Sequence, residues 1–161
     1  YLNLNNSNAK TNSVIMLNDT APTSSVVTLQ DDSSVNSNSR TYVMYCFSEV
    51  AGYSKFGSYT GNGLSNGPFV YLGFRASFII IKNTDRSAPW YIFDIKRNPQ
   101  NEALTTLSAD SSNAEATDTT FLDILSNGFK IRNSGTFRNG NNETLIYLAF
   151  SESPFKNARA R

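Results

Sequence analysis

Apolar positions along the chain fall into short runs separated by Asn, Ser, Thr and Gly. Runs rich in β-branched and aromatic residues predict strands at 25–30 (SVVTLQ), 41–50 (TYVMYCFSEV), 68–74 (PFVYLGF) and 77–83 (SFIIIKN). Further strands are predicted at 90–95 (WYIFDI), 129–133 (FKIRN) and 144–152 (TLIYLAFSE). In FKIRN, Phe129 and Ile131 alternate with Lys130 and Arg132, so one face of that strand is wet. The run FIII at 78–81 does not alternate and predicts a strand buried on both faces. Asn127-Gly128, between FLDIL and FKIRN, is the signal for a type I′ hairpin. Only 108–118 has a helical flavour, and it lacks an apolar face, so it reads as a loop with at most one helical turn. The fold class is all-β, an antiparallel β-sandwich of jelly-roll-like type.

The pattern also repeats. TYVMYCFSE (41–49) aligns with TLIYLAFSE (144–152), and Val27-Thr28-Leu29 aligns with Phe129-Lys130-Ile131. A polar segment precedes each copy, DDSSVNSNSR in the first and SGTFRNGNNE in the second. The expectation is a tandem of two related β units, the first one truncated. Residues 1–52 would be the end of the first unit, 53–67 a Gly/Asn-rich connector, and 68–161 the second unit. The strands missing from the first unit would lie upstream or be supplied by a neighbouring subunit. The opening YLNLNN, without Met, reads as a piece of a longer polypeptide.

Composition narrows the classes. Asn, Ser and Thr make up about a third of the 161 residues, which suits polar turns between strands. The net charge of +1 gives no field for nucleic acid, and Lys156, Arg159 and Arg161 form a basic end that reads as a solvated terminus. No apolar stretch is long enough for a membrane-spanning helix, and no membrane insertion is expected. The single cysteine, Cys46, excludes an intrachain disulfide and reads as a small buried hydrophobe. With no histidine, Ser-His-Asp and Cys-His catalysis and His-ligated zinc are excluded.

Four groups of residues are candidates for chemistry. Six of the nine glycines lie between 52 and 73, yet no Lys and no helix follow as a phosphate loop requires, so the stretch reads as a tight connector. Asp94 and Asp123, or Glu49 and Glu152, could supply the carboxylate pair of a glycoside hydrolase. Glu49 and Glu152 occupy equivalent repeat positions, which fits a structural task such as binding a backbone donor or an Arg. Asp31, Asp32 and Asp110 lie in loops that could offer oxygens to calcium, but no EF-hand spacing is present. Tyr53, Tyr59 and Trp90 are the ligand-binding candidates, as flat faces for a glycan; Trp90 fits the core as well, and the two tyrosines are expected to be exposed. No catalytic residue, metal site or cofactor is assigned.

The blocks TYVMYCFSEVAGYSKFGSYTGNG, GPFVYLGFRASFIIIKNTD, ILSNGFKIRNS and IYLAFSESPFKNARAR occur in that order. Together they resemble a C-terminal β-rich domain of virion structural proteins of marine tailed bacteriophages, over nearly the whole chain. The ending FKNARAR departs from the aromatic or Ala run usual before the final basic residue. The resemblance implies a non-enzymatic tail or capsid fibre or appendage domain, used in assembly or host-surface glycan attachment, located on the virion. The implied partners are other copies of itself, as a homotrimer, and other virion proteins. A capsid decoration protein and a carbohydrate-active enzyme module are the alternatives.

Overall fold

The structure is a computed structural model that describes residues 1–99 and 101–152. It divides into two compact units, one of Tyr1 with Lys10–Phe47, the other of Leu2–Ala9 with the chain from Ser48 onward. The division therefore falls at 47/48, not after residue 52, and it leaves residues 2–9 with the larger unit. The basic end and the FKNARAR ending lie outside the described residues.

The larger unit is antiparallel β throughout. Its strands are β1 (Ser54–Thr60), β2 (Phe69–Tyr71), β3 (Ala76–Asn83), β4 (Trp90–Asp94), β5 (Glu102–Ser108), β6 (Ala116–Leu125), β7 (Gly128–Ile131) and β8 (Thr144–Ser151). A short helix, α2 (Thr136–Asn139), precedes β8, and α1 (Val14–Leu17) lies in the smaller unit. The strand order β1-β8-β3-β4-β5-β6-β7-β2 leaves β1 and β2 as the two edges of a nearly closed sheet. β1 with β8 and β2 with β7 nest as in a jelly roll, but β3 pairs with β4 and β8 rather than with β6. The jelly-roll label therefore does not hold, because a meander from β3 to β7 takes its place.

β5 joins the two halves of the sheet: Leu107 and Ser108 pair with β4, and Glu102–Thr106, across a bulge at Ala103/Thr105, pair with β6. Asn98 holds that bulge. Its buried Oδ1 accepts from Leu104 N (3.0 Å), Thr105 N (2.9 Å) and Thr105 Oγ1 (2.9 Å), replacing the ladder bonds the bulge gives up. Folding the sheet brings aromatic rings together inside. Phe121 meets Phe93 and Tyr91 at 4.5 and 5.1 Å, and Phe129 meets Tyr147 at 5.5 Å, all edge-on. Along β8 the inward Leu145, Tyr147 and Ala149 are buried, while Ile146, Leu148 and Phe150 point outward and are half-buried.

Several expectations hold, others are corrected. β3, β4, β7 and β8 lie where the pattern places them. Phe129 and Ile131 are buried and Arg132 is exposed. The β6–β7 hairpin forms, but Leu125 pairs with Gly128, so its loop is Ser126-Asn127. Neither residue has positive φ, so the turn is not type I′. In FIII, Ile79 and Ile81 are fully buried but Phe78 and Ile80 only half, because β3 has solvent on its outer side. β1 occupies half of the supposed connector 53–67, its Gly and Ser tolerated at an edge. β5, and the part of β6 within 116–118, arise in stretches too polar to read as strands.

The smaller unit has no buried residue and no strand. Its order comes from turns: Gln30 N bonds Met16 O (3.0 Å), Val35 N and Asn36 N bond Asp32 O, and the Tyr42 hydroxyl donates to Ser33 O (2.7 Å). The strands expected at 25–30 and 41–50 are absent. Cys46 is exposed rather than buried. The aligned copies of the repeat thus do not share a structure: 144–151 is a central strand, and 41–49 belongs to none. The tandem of two β units is not present.

Candidate functional site

The glycine-rich stretch winds around one buried side chain, Asn139 at the end of α2. Its Oδ1 accepts from Asn62 N (2.9 Å), and its Nδ2 donates to Asn62 Oδ1 (2.9 Å), Leu64 O (2.8 Å) and Asn133 O (3.0 Å). Gly63 N bonds the Asn139 carbonyl (2.8 Å). The backbone closes so tightly that a Cβ at Gly61 would collide with the Gly140 carbonyl, and one at Gly67 with Ile131. The amides of Gly61, Asn62, Gly63, Leu64 and Gly67 are all taken up within the chain, and the loop is a structural joint.

The three glycan candidates are placed apart. Tyr53 is 37% exposed and tilts against Phe150 at 5.8 Å. Tyr59 is not a loop residue: it lies in β1, packs against the core and meets Phe129 at 6.1 Å. Burial pushes its hydroxyl well above the usual phenol range. Its inward position on the strand overrides its polar neighbours. Trp90, half-buried at the start of β4, donates Nε1–H to Asn3 O (2.9 Å).

The candidate carboxylates each have a local partner. Glu49 accepts from Phe56 N (3.3 Å), and Glu152 lies 3.6 Å from Arg75. Asp123 lies 3.5 Å from Arg132. Asp94 accepts from Lys96 N, Arg97 N and Arg97 Nε. Burial alone would raise the Asp94 carboxyl, but the Arg97 bonds outweigh it and hold it below the usual range. Among the calcium candidates, Asp32 accepts from Ser34 N (2.7 Å) and Asp110 from Trp90 N (2.9 Å). Among the described residues, no group of three or more Cys, Asp or Glu side chains is close enough to hold a metal ion. No helix there is long and apolar enough to cross a membrane.

Two buried polar clusters escape sequence reading. Lys82 is fully buried, and its Nζ donates to Ser7 O (3.1 Å), Asn83 O (2.9 Å) and Ala88 O (2.9 Å). Burial lowers its pKa, and the Asp110 charge works against that shift. The cage ties residues 2–9 to the β3–β4 turn. Beside it, buried Asn83 donates to Glu143 Oε2 (2.6 Å), and the Arg86 guanidinium forks onto the same carboxylate. The Arg86 bond, the largest influence, holds Glu143 below its usual range. Lysine and asparagine patterns carry no sequence signature for such cages, because their partners are backbone carbonyls.

What remains is surface. On the outer side of β1, β8, β3 and β4, the register lines up Phe56 with Leu148, Leu148 with Ile80, and Ile80 with Ile92; Ile146 sits on the same side. A shallow depression of about 480 Å³ lies there, lined by Phe56, Gly57, Ile80, Trp90, Ile146 and Leu148 among others. None of its lining residues is charged. A second depression, about 560 Å³, lies between residues 49–55 and 71–74, with Glu49 its one acid.

A family model described as Domain of unknown function (DUF7483) matches residues 1–154, and the chain belongs to that family. No match was found among the curated proteins or among the solved structures.

Proposed function

We propose that this DUF7483 domain is a non-enzymatic assembly module, the C-terminal domain of a phage tail or capsid fibre or appendage, located on the virion. The observation that carries the assembly part is the outer face of β1–β8–β3–β4. An antiparallel sheet facing water places polar residues outward, yet here Phe56, Ile80, Ile92, Ile146 and Leu148 stand outward and half-buried. Such a face fits protein contact. It fits a sugar poorly, since a glycan site needs convergent polar groups beside its aromatic faces. The carboxylates are taken up by local partners, which favours a structural over a hydrolytic reading. The virion setting and the homotrimer rest on the resemblance of the sequence blocks. A cryo-electron microscopy map of the particle carrying this chain tests the reading: copies related by three-fold symmetry in an appendage support it, and absence of the chain from the particle overturns it. Release of reducing ends from host polysaccharide by the purified domain would favour the hydrolase instead.

A further inference from the structure

The segment 41–49 has the sequence of a strand, and of one particular strand, β8. At the shared offset Val43 matches Ile146, Met44 matches Tyr147 and Tyr45 matches Leu148. β8 forms its ladders with β1 and β3. Yet 41–49 is in no strand, and Val43, Met44 and Tyr45 are 77%, 59% and 81% exposed. Three neighbouring apolar side chains held in water need an occupant nearby.

The larger unit offers a place for such a strand. Ser151 N bonds Tyr53 O and Gly61 N bonds Glu143 O, so the odd-numbered residues of β1 face β8. The even-numbered residues face the open edge. At the start of that edge the ladder is already closed within the chain. Val50 and Ser54 exchange backbone bonds, Ser48 O accepts from Ser54 Oγ (2.9 Å), and the Glu49 carboxylate takes Phe56 N–H. A hairpin that continued from this turn would need Ser48 O and Phe56 N–H for each other, and both are engaged elsewhere. Beyond that point, among the described residues, the outward N–H and C=O groups of Ser58 and Thr60 have no partner.

We infer that the segment around Val43–Cys46 of one copy adds as an edge strand to β1 of a second copy, at Ser58–Thr60. The two ends of this contact are present on every chain, so the contact closes as a reciprocal dimer or a larger ring, or propagates. It would pair an exposed apolar segment with an exposed edge and bring more apolar surface beside Phe56. The inference deepens the assembly reading by naming the second copy and the strand it contributes.

The test is light scattering across a concentration series, with amide hydrogen exchange on the same samples. The native chain should self-associate, and the Ser58 and Thr60 amides should become protected as it does. Tyr45→Pro removes a ladder N–H from a residue outside every helix and strand, so it should leave the circular dichroism unchanged. It should raise the concentration for half-association by roughly tenfold or more. Val43→Asp, which keeps the N–H but adds a charge, should act in the same direction. A synthetic peptide of residues 41–49 should restore protection at Ser58 and Thr60 in the Tyr45→Pro chain. A native chain that stays monomeric at all concentrations, or variants that associate as the native does, would overturn the inference. A monomeric chain that is still found in ordered copies on the particle would sink this contact and leave the assembly function standing.

Discussion

β8 and the segment 41–49 share a pattern down to the closing Phe-Ser-Glu, and their outcomes are opposite. Tyr147 in β8 is 8% exposed, and Met44, its aligned partner, is 59% exposed. Ala149 is fully buried, and its partner Cys46 is exposed. The difference lies outside the two sequences. β8 has β1 on one side and β3 on the other, and its inward side chains meet a second layer containing Phe129. Residues 41–49 enter no strand ladder among the described residues; Ser48 and Glu49 meet β1 through the Ser54 hydroxyl and the Phe56 N–H, without strand pairing. A strand's stability resides in cross-strand pairs and in the layer beneath it, and local β-propensity supplies neither.

That contrast sets the scale of mutational effects. Tyr147→Ala should lower unfolding free energy by about 3–5 kcal/mol in urea titrations, because it empties the site against Phe129. Met44→Ala, at the aligned position, should change it by no more than about 0.5 kcal/mol. Equal effects at the two positions would mean that 41–49 is packed as β8 is. Asn139→Ala should cost roughly 1–3 kcal/mol, because it removes the buried amide that ties the Asn62 N–H and the Leu64 and Asn133 carbonyls together. Tyr59→Ala should cost about 2–3 kcal/mol, and Tyr53→Ala about 1 kcal/mol or less, since only Tyr53 is the exposed loop residue expected of both.

The smallest effect is a pH dependence. The Arg86 bonds hold the folded Glu143 below the unfolded value of about 4.3. A carboxylate depressed in this way contributes stability that is present above the unfolded value and fades as pH falls through the folded one. Asp94 acts in the same direction through Arg97. The urea midpoint should therefore fall as pH drops from about 5 toward 3. In Glu143→Gln that fall should be shallower, and an unchanged slope would argue that the Arg86–Glu143 fork contributes nothing in solution.

Most of the sheet was legible in the sequence, because β3, β4, β7 and β8 are dense in β-branched and aromatic residues. β1 and β5 were not. SKFGSYT and EALTTLS carry too few apolar residues to stand out, and they become strands only because β8 on one side and β4 and β6 on the other pair with them. Residues 41–50 failed in the opposite sense, as a strong local pattern that enters no strand and reaches only the single bridge Val50–Ser54. The loop Gly61–Gly67 is glycine-rich in the sequence, but its centre, Asn139, lies more than seventy residues away, and no spacing rule links the two. The same holds for Lys82, whose cage closes on Ser7. The apolar outer face was hidden because one sheet layer already accounts for the apolar residues of FIII and IYLAF; only the register shows that half of them point outward.

The most direct test compares amide hydrogen exchange at 43–46 with that at 145–148 in dilute, monomeric protein. Exchange should be slow along β8 and fast, near that of an unstructured chain, at 43–46, with protection of 43–46 gained only as copies associate. Protection of 43–46 in the isolated monomer, comparable to that of β8, would contradict this.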